Sequence, residues 1–393
     1  RTSSSAASDV YKRQQYNDQR LRNQFKALNQ KLKDFIAFKA WEGDKNAKSL
    51  YLLRAYGNRL LGSLFFEQLN AMKNVAPTGT NDFYFQNLVV NEELYFLSNA
   101  NPVPEKDSVA YMKRHLEVFL LLSNLRIYCS IESLRRVLGF ELHPPDIQLV
   151  LSTIDRNPEY LEIPLVVLYR HGALLVRDMV DDIRFYEFKG LIKKYLPVLP
   201  QKDAWEICTI ATSYCSGRYN QTQELKFIEE SLEIYDIQKR SGKLIDKEYA
   251  SPYQLLNMVK SGLRVRKYDW VQEVISLYKS QKVSPSIEHV IRLNQGLLNF
   301  ELKKFLQIDV RPRTTPVDNI FYLLTEYILR LKTWYETNQT FSLVKDEVAR
   351  CRKYVENDKV FSPERKWGYN MFLDFYEHIW DARFDKSQDS VLS

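Results

Sequence analysis

Glycine and proline are scarce in this chain, at 12 and 14 among 393 residues. A β-rich fold draws heavily on both at its tight turns, and most of the prolines here fall where helices would begin, so an all-helical fold is expected. Long apolar runs are missing too. A spanning helix needs about 18 or more apolar residues, and the best stretches, 116–129 and 161–176, are interrupted by Asn124 and Arg126 and by Arg170 and His171. No membrane association is expected. Cysteine is limited to Cys129, Cys208, Cys215 and Cys351, with no C-x-x-C and no zinc-finger or zinc-ribbon spacing. Cys208 and Cys215 lie two turns apart on one helix, about 10 Å along the axis and beyond disulfide reach. All four are expected to be buried, small, apolar residues with reduced thiols, which suits the cytoplasm.

The motifs of common chemistry are absent as well. There is no G-x-G-x-x-G and no G-x-x-x-x-G-K-[ST] to cradle a phosphate. The five histidines, His115, His143, His171, His289 and His378, are scattered without H-E-x-x-H or another metal-ligand spacing. The neighbouring acids Asp181 and Asp182, and Glu229 and Glu230, suit solvated faces and helix starts. No Ser, Cys or Lys stands in a nucleophile setting. The expectation is therefore no catalytic residue, no metal site and no cofactor.

What is present is amphipathic helix. The composition, 45% hydrophobic and 13% aromatic, excludes wholesale disorder. The net charge of +7 arises from 56 basic and 49 acidic residues mixed along the chain, too mild for a nucleic-acid signature. Residues 203–242 show the plan. Ala204, Ile207, Cys208, Ala211, Tyr214 and Cys215 line one face of a first helix, with Asp203 and Glu206 as a capping box and Gly217 as its terminator. Asn220 and Gln223 are placed to cap a second helix, striped by Leu225, Ile228, Leu232 and Tyr235 and widened by Phe227, Ser231 and Ile234, that ends at Lys239, Arg240 and Gly242. A helix apolar on two sides needs neighbours on both, which stacked helical hairpins supply.

The same alternation extends over the chain. Helices are expected at 15–41 (Leu21, Phe25, Leu28, Leu32, Phe35, Ile36), 48–75, 83–97 and 107–128. Shorter ones follow near 131–139, 145–156 and 161–176. Later, Ser251-Pro252, Ser284-Pro285, Thr315-Pro316 and Ser362-Pro363 each place a hydroxyl N-cap before a helix-opening proline. The first of these intervals, 33 and 31 residues, come close to the repeat of about 34 in TPR arrays. Ile320, Leu323, Leu324, Tyr327, Ile328, Leu331, Trp334 and Tyr335 form the cleanest stripe, and helices at 342–356 and 363–380 close the series.

Segments such as ATSYCSGRYNQ and LRVRKYDWVQEVI, with their Tyr and Trp anchors, resemble an uncharacterised family of bacterial TPR-like α-solenoid proteins over most of residues 15–380. Ser261 and Gly296 occupy the small position of the first helix, whereas Glu, Ser or Lys replace most alanines of the second. The resemblance implies an all-α, right-handed solenoid of irregular, TPR-like hairpins acting as a scaffold without an activity of its own. Residues 1–14, RTSSSAASDVYKRQ, resemble translated sequencing-adapter sequence and are expected to be a non-native leader. N-terminal hairpins at 15–200, TPR-like repeats at 201–380 and a flexible tail at 381–393 complete the expected organisation.

A curved face of stacked hairpins binds protein or peptide. Superimposing Ser261 on Gly296, an offset of 35, brings Asn257, Lys260 and Arg264 onto Arg292, Gln295 and Asn299, so the two rows are expected to line a polar, mildly cationic groove for an acidic or polar segment. Two alternatives stand beside this partner. One is nucleic acid, met by Arg264, Arg266 and Lys267 near Tyr268 and Trp270, by Arg311 and Arg313, and by Lys193 and Lys194. The other is an enzyme without a recognisable motif.

Overall fold

A computed structural model describes residues 18–73, 80–98, 106–138, 142–245, 252–280, 285–309, 320–339, 341–358, 361 and 363–389. Sixteen α-helices and three short 3-10 turns stand among the described residues, with no strand. Their large apolar side chains are buried by packing between neighbouring helices, each worth about 1.5–3 kcal/mol when fully withdrawn from water. The chain divides into two compact units, Arg1–Pro77 with Asp82–Glu117 and Thr78–Asn81 with Val118–Ser393.

The first unit holds α1 (Asp18–Gly43), α2 (Lys45–Asn58), α3 (Gly62–Lys73), nearly all of α4 (Asn81–Ser98) and the start of α5 (Lys106–Leu138). Leu53, Phe65, Leu69, Val90 and Leu94 form its core, and Arg54 pairs with Glu93 at 2.9 Å across α2 and α4. Two expectations need correction here. The single helix expected at 48–75 is two helices, broken where Leu60 takes a left-handed φ of 56°. The stripe on α1, from Leu21 to Ile36, is exposed throughout, and α1 buries no residue.

The second unit continues α5 and adds α6 (Ile147–Arg156), α7 (Pro164–Arg177), α8 (Asp182–Tyr195), α9 (Gln201–Thr222) and α10 (Leu225–Arg240). It is completed by α11 (Pro252–Arg264), α12 (Tyr268–Ser280), α13 (Pro285–Glu301), α14 (Ile320–Glu336), α15 (Phe341–Asn357) and α16 (Pro363–Asp389). From α8 onward each helix packs on the one before it, and α9 also meets α7 as α13 meets α11. Pro252, Pro285 and Pro363 open α11, α13 and α16 as expected; Thr315-Pro316 and the hydroxyl caps lie outside the described residues. α14 separates two cores. Tyr322 and Leu329 belong to one with α11, α12 and α13, while Leu324, Tyr327, Leu331 and Trp334 belong to another with α15 and α16.

The model helix pair of the sequence is present with shifted ends. α9 starts two residues before Asp203 and is capped by Pro200 with no side-chain bond, so Asp203 is a buried third-position residue instead of a cap. It runs through Gly217 and stops where Gln223 turns left-handed at φ 58°. A Cβ at Gly217 would come within 2.7 Å of the Met179 methyl, the free end of a flexible side chain that can move aside. α10 begins after Glu224, without a cap from Asn220 or Gln223, and leaves Leu225 exposed; Phe227, Ile228, Ser231, Leu232, Ile234 and Tyr235 are buried. Gly242 does adopt the positive φ expected beyond the helix end. The segments at 131–139 and 107–128 are one helix, α5.

Polar networks hold α9 in place. Glu206 accepts from Arg126 of α5 at 2.6 and 2.9 Å and from the Tyr169 hydroxyl of α7 at 2.7 Å. Asp182 of α8 accepts from Tyr214 at 2.7 Å and Arg218 at 2.9 Å. Phe185 stacks on Tyr214 with the ring centroids 5.0 Å apart. The charged groups are thus paired across helices while the apolar faces close between them.

Candidate functional site

Along α9, Trp205, Thr209, Ser213, Ser216 and Asn220 recur every three or four residues and so share one side of the helix. That side carries three small hydroxyl residues where a core-facing helix would carry leucine. The space they leave is a cavity of about 610 Å³, open to solvent and bounded also by residues of α10, α11, α14 and α16. From Trp205 to Asn220 its floor runs about 22 Å, at 1.5 Å per helical residue. Tyr235, Tyr253 and Tyr369 supply aromatic wall, while Gln238, Gln254, Asn257, Lys260 and Thr325 supply polar groups. Thr209 and Thr212 turn their hydroxyls back on the carbonyls of Trp205 and Cys208, at 2.8 and 3.1 Å.

The charge distribution is lopsided. Among the described residues bordering the cavity none is acidic, and Lys260 is the one cation. Its Nζ donates to the Thr325 hydroxyl of α14 at 3.0 Å. Lys260 is exposed on the cavity side; the protein packed along the rest of it, and then Arg264 and Lys332 nearby, lower its pKa to about 8. Burial raises the Tyr235 hydroxyl, which therefore stays protonated as a donor. Tyr278 donates to Gln254 at 3.5 Å, and Gln254 donates to Gln238 at 3.1 Å. This chain ends at the buried Gln238 Nε2, which has no hydrogen-bond partner among the described residues.

Of the six residues expected to form one groove, the structure brings Asn257 and Lys260 to this cavity. Arg264, one turn further on, lies over the Tyr219 ring at 4.8 Å. The other row is elsewhere. Arg292 pairs with Asp309 at 3.1 Å beside a separate void of about 20 Å³. Gln295 exchanges bonds of 3.2 and 3.4 Å with Gln272 of α12, and Asn299 is buried and donates to the Gln307 carbonyl at 3.4 Å. Helix starts at Pro252 and Pro285 are 33 residues apart, whereas the superposition used 35; two residues turn a helix by about 200°, enough to aim a row at a different neighbour. The hydroxyl stripe on α9 carried the missed signal, since small polar residues on one helix face leave room beside it.

Three of the remaining candidates make structural contacts. Trp270 donates to Asp236 at 2.9 Å, Lys193 pairs with Glu233 at 2.7 Å, and Lys194 lies over the Tyr195 ring. Arg311 and Arg313 lie outside the described residues. All four cysteines are buried and unbonded, and burial pushes the Cys129 and Cys351 thiols up to about 12. No group of three His, Cys, Asp or Glu side chains able to hold a metal occurs among the described residues, and no described helix is long and apolar enough to cross a membrane. The chain matches no family model, and neither a curated protein nor a solved structure is similar to it.

Proposed function

We propose that this chain is a non-catalytic helical-repeat scaffold, a TPR-like right-handed α-solenoid, whose groove along α9 binds an extended segment of a partner protein. The observation that carries this is the groove's shape: about 22 Å of hydroxyl-lined floor with amide and tyrosine walls matches six or seven extended residues at about 3.3 Å each. Exposed peptide groups need such donors and acceptors along their whole length. A compact small-molecule site would instead close around its ligand and bury most of its surface. The solenoid architecture is supported by the packing of α9 on α7 and of α13 on α11, and by α14 facing a core on each side. Reduced, buried thiols suit a cytoplasmic setting.

Panning a random heptapeptide display library on the immobilised chain tests this. Peptides should enrich on the wild type at 150 mM salt and lose at least tenfold in affinity on Ser213→Trp, in which an indole fills the middle of the groove. Ser213→Trp should keep the wild-type thermal midpoint within a few degrees, because Ser213 is exposed. Absence of enrichment, or binding indifferent to Ser213→Trp, would overturn the proposal. Single-stranded oligonucleotides offered in parallel should not be retained at that salt.

A further inference from the structure

Several cations of the second unit meet carboxylates. Arg218 has Asp182, Lys189 has Glu230 and Glu233, Lys239 has Glu273, and Arg292 has Asp309. Lys260 departs from this pattern: among the described residues its hydrogen-bond partner is a threonine, its charged neighbours are Arg264 and Lys332, and the cavity it borders has no acid. Lys260 is exposed on the groove side, and an ammonium that faces solvent with no carboxylate beside it is free to take up an incoming anion without first giving up another. An ammonium carries three donors, so two remain after Thr325 is served. The uncommitted Nε2 of Gln238 adds another donor at the wall.

We propose that Lys260 is the anion subsite of this groove and receives the carboxylate of an aspartate or glutamate side chain in the bound segment. The proposal rests on the polypeptide partner argued above. A carboxylate fits better than a phosphate group because the described residues lining the cavity offer one ammonium and no arginine fork, matching a single negative charge. Asn257, one turn before Lys260 on the same face of α11, stands where it can meet the neighbouring peptide group. Filling the subsite returns to the ammonium the counter-charge that its surroundings lack, so carboxylate binding raises its pKa from about 8.

Two arms test this separately from the polypeptide proposal. In the first, display-selected peptides should be enriched in Asp or Glu; Lys260→Met should weaken them at least tenfold, and replacing the acid by its amide should do the same on the wild type yet nothing further on Lys260→Met. Lys260→Arg should retain most of the affinity, and the thermal midpoint of Lys260→Met should not fall. In the second, the ε-amine resonance of Lys260 is titrated by NMR with sodium benzoate, which should raise its pKa saturably where sodium chloride at equal ionic strength does not. If no peptide binds yet benzoate raises the pKa, the polypeptide proposal falls and the anion subsite stands. If peptides bind without preference for an acid and benzoate leaves the pKa unmoved, the subsite assignment is overturned and the polypeptide proposal stands. Inorganic phosphate acting at lower concentration than benzoate would overturn the carboxylate assignment.

Discussion

Glu347→Ala is expected to lower the unfolding free energy of the second unit by about 3–5 kcal/mol, the usual cost of stripping one partner from a buried ion pair. Glu347 is 1% exposed and accepts from Arg330, itself 5% exposed, at the contact between α15 and α14. Arg330 also donates to Glu326 at 3.1 Å, and Glu326 lies 3.9 Å from His289 of α13. Removing Glu347 leaves one carboxylate to offset the guanidinium among apolar neighbours. The loss comes from the stranded charge, so replacing Glu326, Arg330 and Glu347 together by methionine should cost much less than the single change. Urea unfolding followed by circular dichroism measures both variants. A single-variant loss below about 1 kcal/mol would show that Glu326 alone neutralises Arg330.

Leu331→Ala is expected to cost about 2–5 kcal/mol by the loss of buried methyl groups and the cavity they leave. Leu331 is fully buried within the core that α14 shares with α15 and α16. Its carbonyl also accepts the Tyr376 hydroxyl, so this stretch of α14 is held from the backbone side as well and cannot readily collapse into the space. Chemical unfolding gives the value, with an unchanged slope as the check on two-state behaviour. A change under about 0.5 kcal/mol would mean that the side chain does not face the core.

The helices themselves were largely legible, because the 3.6-residue period acts locally and large apolar residues report it directly. The proline-opened starts at Pro252, Pro285 and Pro363 were visible for the same reason, since a fixed φ and a missing N–H act at one position. The ends of α9 were not. Asp203 and Gly217 have the residue types of a cap and a terminator, but Asp203 is drawn into the interior and the helix runs on through Gly217 to Gln223. The break at Leu60 has no glycine or proline at the left-handed residue to announce it. The exposed stripe of α1 shows the converse limit: periodicity predicts an apolar face without saying what covers it.

The candidate site was legible in part. Asn257 and Lys260 follow from helical spacing on α11, but the partner surface of each row depends on which helix lies opposite, and that is set by the rotation of successive helices. Lys260 faces Thr325 across 65 positions of sequence, a juxtaposition with no local trace. The floor of α9 was overlooked because its apolar side dominates the pattern. Thr209, Ser213, Ser216 and Asn220 register only when small polar residues are followed with the same period.

Photo-crosslinking tests the central claim most directly. Benzoylphenylalanine is placed singly at Asn257, at Ser216 and, as a control on α12, at Glu273, which pairs with Lys239. Each variant is irradiated with a display-selected acidic heptapeptide. Adducts at Asn257 and Ser216, abolished by excess unlabelled peptide and absent at Glu273, are the expected result. Crosslinking at Glu273 with none at Asn257 and Ser216 would contradict the assignment of the α9 groove as the binding surface.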